Sequence, residues 1–235
     1  HRRSNFIYYV LVIITILFWS LTFVSTKILL NYFKPIDLFV YRFTLAYLLM
    51  VLAYPRFHRP ESLKTELLML LGGITGGSLY FLGETYAIQY STPANVALLV
   101  AAAPLCTIFL ANKLLKDSEK ITKRIVIGSS IAILGVALVV YNGIAMPYID
   151  PISSLLAITA MISWGFYSII LKKIDSIHSA FYVTRKIFFW AVITILPLYF
   201  ATKADLDPKV FLKPEVTVNF LLLSLFASIM AYWIW

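Results

Sequence analysis

The sequence predicts an all-α integral membrane protein, an inverted repeat of five-helix units with ten transmembrane helices expected and about eight present in this chain. Three observations carry this. Hydrophobic residues make up 61% of the chain and charged residues 13%, with a mean hydropathy of +0.86, far from the balance of a soluble domain. Eight apolar runs can be read, around residues 7–30, 37–54, 67–88, 95–112, 125–142, 152–171, 181–200 and 218–235, and a hydrocarbon core of about 30 Å needs about 20 apolar residues per helix. The stretch Trp19 to Lys27 recurs as Trp164 to Lys172, 145 positions on, and Arg42 recurs as Arg185 at an offset of 143. Five runs separate the starts of the two copies, and an odd number of crossings sets the second copy upside down in the bilayer. The copies divide the chain at 1–143 and 144–235.

Runs of this length lack the alternation of a barrel strand, and without water to satisfy the backbone they must be helices. The first is too long for a signal-peptide core and has no clear small-residue cleavage site, so it reads as a permanent helix. Its Thr15, Trp19, Thr22 and Thr26 share one helical face, polar and aromatic where lipid would favour aliphatics, and are expected to line a cavity. At the equivalent offset the sixth run offers Ala160, Trp164, Tyr167 and Leu171. In the third run Gly72, Gly73, Gly76 and Gly77 form interleaved G-x-x-x-G spacings, and Ala97 with Ala101 and Gly128 with Ala132 are further small pairs where backbones can approach. The stretch from Gly72 to Ser78 faintly resembles a phosphate loop but lacks its lysine. Pro104 interrupts the fourth run and frees a backbone carbonyl. Cys106, the only cysteine, excludes an internal disulfide and a cysteine-built metal site. It reads as a small core residue. Tyr232 to Trp235 look like the counterpart of Tyr80 to Gly83, so the second copy is expected to stop mid-helix, with about sixty residues and two further helices to follow.

The formal net charge of +9 is set by topology. Twelve basic residues, among them Arg2, Arg3, Arg56, Arg59, Lys64, Lys113, Lys116, Lys120, Lys123, Arg124, Lys172 and Lys173, gather before the first run and after the even-numbered ones. The other side has Lys34, Lys203, Lys209 and Lys213, the last three offset by Asp205, Asp207 and Glu215. By the positive-inside rule the amino terminus is cytoplasmic, and no nucleic-acid partner is expected.

Lys27, Arg42, Glu84, Arg185 and Lys186 lie within or near the apolar runs, where a charge at the helix centre costs roughly 3 kcal/mol. Lys27 and Lys186 stand near helix ends and are expected to snorkel to the headgroups. Arg42 and Arg185, about a turn and a half into equivalent helices, read as structural anchors or as gates at opposite ends of a substrate path. Glu84 shares a face with Gly76 and Tyr80. Three roles are open to it: ligand for a substrate ammonium or site of proton coupling, ion pair with an arginine, or protonated hydrogen-bond donor. Trp19 and Trp164 would flank the pseudo-symmetric centre as aromatic walls or serve as core filler. Asn95 opens the fourth run beside Pro93.

At these residues the chain resembles the EamA-type transporters of the drug/metabolite transporter superfamily. The passages are Phe18-Trp19-Ser20-Leu21-Thr22-Phe23 running to Lys27; Pro35 followed by Arg42-Phe43; Ala87 through Tyr90-Ser91-Thr92-Pro93-Ala94-Asn95-Val96-Ala97-Leu98-Leu99 to Pro104; Gly128 with Gly135-Val136; and Trp164-Gly165 running to Lys172-Lys173. Their order and spacing over the whole chain make the match. The resemblance implies two inverted five-helix copies, cytoplasmic termini, a central cavity and export of small metabolites without ATP. Ser20 replaces a glycine frequent after the tryptophan, and Glu84 is not general to the family.

The expectation is a secondary transporter, not an enzyme, in the cytoplasmic (inner) membrane. It would export an amino acid or related amphiphilic compound by alternating access. Trp19, Thr22, Tyr80, Glu84, Asn95, Trp164 and Tyr167 would bind substrate, and Arg42 and Arg185 would gate or anchor. Membrane lipids and a small-molecule substrate are the expected partners, with proton coupling through Glu84; no cofactor or metal is expected. The alternatives are an integral-membrane lipid-modifying enzyme, which His58 and His178, alone in separate loops, fit poorly, and a non-transporting receptor or scaffold.

Overall fold

A backbone in lipid must satisfy its own hydrogen bonds, and the apolar runs do so as helices. The computed structural model describes residues 2–55, 62–115, 122–142, 150–174, 179–202 and 208–230. Helix α1 is Arg2–Leu29, α2 Pro35–Ala53, α3 Leu63–Tyr90, α4 Pro93–Leu114, α5 Lys123–Asn142, α6 Pro151–Ile174 and α7 Ala180–Ala201. A 3-10 turn at Pro208–Leu212 leads into α8, which starts as Pro214–Leu221 and continues as a π-helical stretch, Leu222–Met230. Six helices, α1 to α4 with α6 and α7, are long and apolar enough to cross a bilayer, and there is no strand among the described residues. Tyr232 to Trp235, His58, His178, and the loop charges Arg56, Arg59, Lys116, Lys120, Lys203, Asp205 and Asp207 lie outside them.

Local chemistry sets the helix ends. Pro35, Pro93, Pro151 and Pro214 open four helices, where a missing amide hydrogen costs nothing. Ser62, Thr92 and Ser179 cap α3, α4 and α7, accepting from the amides of Thr65, Asn95 and Tyr182. Pro104 breaks α4 into Pro93–Val100 and Ala103–Leu114, as its lost donor and its ring require.

Helix α1 turns aliphatic side chains outward and hydroxyls inward. On α1, Ile13, Ile16, Leu17, Leu21 and Val24 are exposed, while Thr15, Thr22, Ser25 and Thr26 are buried. Lipid is the solvent for which such a face is built. One end of the bundle, the basic end, bears Lys64, Lys113, Lys123, Arg124, Lys172 and Lys173. Helices α2 and α7 run antiparallel: Arg185 Nη1 donates to the Tyr54 carbonyl at 2.7 Å at the basic end, and the Tyr41 and Tyr199 hydroxyls lie 3.0 Å apart at the other. Between them sits the core, where Phe43 stacks on Phe39 at 4.5 Å and meets Phe81 at 4.8 Å and Phe188 at 4.9 Å.

Helix α3 carries its own π-helical stretch, Gly73–Leu79, at nearly the register of the one in α8. Its glycines admit α6 and α7. A Cβ added at Gly73 would lie 2.6 Å from Trp190 Cβ, one at Gly76 2.3 Å from the Tyr167 ring and one at Gly77 2.4 Å from Ala191 Cβ. Ser163 Oγ donates to the Thr75 carbonyl at 2.7 Å and Ser78 Oγ to the Ala191 carbonyl at 3.1 Å. Close packing, as expected, is what these glycines provide. Gly128 does not behave this way: a Cβ there would meet nothing within 4 Å. Cys106 does pack, lying 3.5 Å from a Cβ added at Gly165 of α6.

Candidate functional site

Three helices bring aromatic rings together. Trp19 of α1 meets Trp164 of α6 edge-on at 5.7 Å, Tyr80 of α3 lies 4.8 Å from Trp164, and Tyr167 lies 5.1 Å from Trp164. The two tryptophans are the repeated residues of the two sequence copies. Tyr80 directly follows the π-helical stretch, whose wider turn shifts the register of everything beyond it. Tyr167 is buried, but Trp19, Tyr80 and Trp164 are only half-buried. The four rings form one aromatic cluster joining α1, α3 and α6.

Glu84 follows Tyr80 by one turn, is 5% exposed, and makes no hydrogen bond among the described residues. Its nearest electrostatic partner is the Arg42 guanidinium, whose field also reaches Tyr80. Arg42 Nε donates to Ser228 Oγ of α8 at 2.9 Å, and the guanidinium lies over the Phe81 ring at 4.7 Å. Thr22 is buried beside Trp19, its hydroxyl donating to the Trp19 carbonyl at 2.6 Å. Asn95 stands apart, in the first turn of α4, where Nδ2 donates to Ser91 Oγ at 3.3 Å. Trp19, Tyr80, Trp164 and Tyr167 thus share one cluster, Thr22 and Glu84 flank it, and Asn95 lies at a helix end.

Arg185, the repeat partner of Arg42, ties the start of α7 to the last carbonyl of α2 through Tyr54. The lysines do not snorkel. Lys27 Nζ donates to the carbonyls of Ile88 and Ser91, both at 2.7 Å, because the end of α3 offers unpaired carbonyls within reach of its stem. Lys186 Nζ instead binds Glu66 at 2.8 and 3.0 Å, and Trp190 Nε1 donates to the same carboxylate at 2.8 Å. Glu66 was not among the expected residues. It stands just before the third apolar run, and an acid there facing a lysine just inside the seventh was the available signal. At the other end Tyr32 donates to Glu215 Oε2 at 3.1 Å, which holds its phenol above the usual tyrosine range. No group of three metal-ligating side chains occurs among the described residues.

Long apolar helices with aliphatic side chains turned outward mark a multi-pass membrane protein. The chain belongs to the EamA-like transporter family, whose profile matches residues 6–141. It is 28% identical over 235 residues to a "Probable amino-acid metabolite efflux pump" of Escherichia coli, covering 96% of this chain and 76% of that one. A protein of the same description from Salmonella typhimurium is 28% identical over all of this chain and 77% of its own length. An "Uncharacterized transporter" of Archaeoglobus fulgidus is 26% identical, over 97% of this chain and 78% of the relative. A solved crystal structure shares the fold at a TM-score of 0.67 and 17% identity, covering 96% of this chain and 76% of the other.

Proposed function

We propose that this protein is a secondary transporter that exports a small metabolite, an amino acid or related amphiphilic compound, by alternating access. The observation that carries this is the convergence of Trp19, Tyr80, Trp164 and Tyr167 beside the buried Glu84. Rings of this kind take the apolar body of an amphiphile, and a carboxylate takes its ammonium. The efflux-pump descriptions of the relatives in Escherichia coli and Salmonella typhimurium support the substrate class. Thr22 and Asn95 would add polar contacts along the same route.

The two copies, 1–143 and 144–235, form inverted units that rock against each other. The antiparallel course of α2 and α7 supports this reading, because it sets Arg42 and Arg185 toward opposite ends of the bundle. Each arginine holds one gate, Arg42 through Ser228 and Arg185 through Tyr54. The basic end faces the cytoplasm, and the protein resides in the cytoplasmic membrane with its amino terminus inside. Glu84 binds cation and proton in turn.

Counterflow in proteoliposomes tests this against an enzyme or a scaffold. External labelled aromatic or aliphatic amino acids should exchange faster when the same unlabelled compound is inside. Glu84→Gln should lower exchange tenfold or more and remove its response to a pH gradient. Gradient-driven uptake that is unchanged in Glu84→Gln overturns the coupling role, and counterflow absent for every amino acid tried overturns the substrate class.

A further inference from the structure

Asp37 is a second buried acid, in a place the apolar pattern does not draw attention to. It is the third residue of α2, is 5% exposed, and its Oδ1 is sealed from solvent with no hydrogen-bond partner. Buried carboxylate oxygens ordinarily hold donors. The helix amino terminus favours a negative charge there, and Lys34 contributes to the local field. Yet Lys34 is exposed, and no ion pair joins it to Asp37 among the described residues. The carboxylate thus keeps a buried oxygen without a donor among the described residues.

Two tyrosines feel its charge. Tyr41 lies one turn along the same helix and Tyr86 on α3. Tyr41 is bonded through its hydroxyl to Tyr199 of α7 at 3.0 Å, with the rings edge to face at 6.0 Å. A buried carboxylate with Tyr41 one turn along its helix, and Tyr199 bonded to Tyr41, suits an organic ammonium, whose charge pairs with the acid while its carbons and polarised hydrogens meet ring faces. A hard divalent cation wants six or more oxygens, and no such cluster exists among the described residues. An anion would meet repulsion.

We propose that Asp37, with Tyr41, Tyr86 and Tyr199, forms a cation site for the ammonium group of an amine or amino acid at the end of the bundle remote from the basic loops. This rests on the transporter reading and extends it: Asp37 opens α2 at the end of the bundle toward which α3 runs beyond Glu84, so the site lies nearer that mouth. An ammonium passes from Glu84 to Asp37 before release.

Titration calorimetry of the full chain in nanodiscs, with phenethylammonium as the probe, tests it. Wild type should bind two equivalents. Asp37→Asn, which keeps the size and acceptor oxygen of the side chain, should lose one equivalent or weaken it tenfold or more, while Glu84→Gln should keep that equivalent and lose the other. Tyr86→Leu, which removes a ring without touching the carboxylate, should weaken the Asp37 equivalent about fivefold. Phenethyl alcohol should bind wild type and Asp37→Asn alike. Wild-type stoichiometry and affinity in both Asp37→Asn and Tyr86→Leu overturns the proposal, and leaves the transporter standing if counterflow persists. Asp37-dependent binding without any counterflow supports the site and overturns the transporter reading instead.

Discussion

Single side chains decide how closely these helices approach. Gly76 faces the Tyr167 ring with no room for one carbon, so Gly76→Ala should displace a ring of the aromatic cluster. Overpacking of this kind costs about 1–3 kcal/mol. Gly128→Ala, whose added carbon meets nothing, serves as the matched control. Tryptophan-detected melting in detergent should show a lower Tm for the first and an unchanged one for the second; equal melting would mean that α3 and α6 are not this close. Lys27 acts at the same scale. Its ammonium closes the end of α3 through two carbonyls, and hydrogen bonds to charged groups contribute about 1.5–3 kcal/mol. Lys27→Met keeps the stem but leaves those carbonyls open, and should therefore destabilise the protein by an amount in that range, whereas a snorkelling lysine would be replaced without loss.

Between elements, polar contacts tie α3 to α7 and α2 to α8. At the basic end Glu66 of α3 holds Lys186 and Trp190 of α7, half-buried and charge-assisted. Deeper in the bundle Arg42 of α2 holds Ser228 of α8. Removing either contact should favour separation of the helices it ties. In a background where Cys106 is serine, spin labels at Lys64→Cys and Ala180→Cys should move apart when Glu66→Gln is added. Labels at Asn31→Cys and Val218→Cys should move apart when Arg42→Ala is added. Distance distributions that stay put in both cases would reduce these groups to anchors. The two π-helical stretches, Gly73–Leu79 and Leu222–Met230, are the elements best placed to absorb such movements, since their wider turns leave carbonyls that neighbouring hydroxyls satisfy. Ser163 does this for Thr75.

For the whole molecule, the decisive quantity is which side of the membrane each loop occupies. Lys64 and Lys173 are exposed at the same end of the bundle. Cysteines introduced at these two positions should react with an impermeant maleimide only after the cytoplasmic face is opened, and both together. Reaction of one from each side would end the five-helix inverted arrangement and the carrier built on it. The same architecture separates the two faces of α1: Thr15, Thr22, Ser25 and Thr26 are turned inward and buried, while the outward aliphatics suit lipid.

Much of this was legible before any coordinates. Spans and helix breaks follow from length, hydropathy and proline, because lipid leaves the backbone one solution per span. The pairing of Trp19 with Trp164 followed from a repeat that places equivalent residues about a common centre. What the sequence could not decide was partnership across long separations. Lys27 capping α3, Glu66 reaching Lys186 and Trp190, and Tyr41 bonding Tyr199 each depend on which helices become neighbours. A charge beside an apolar run looks the same whether it snorkels or pairs. Only the packed bundle, by setting how far each stem must reach to find a carbonyl or a counter-charge, separates the two.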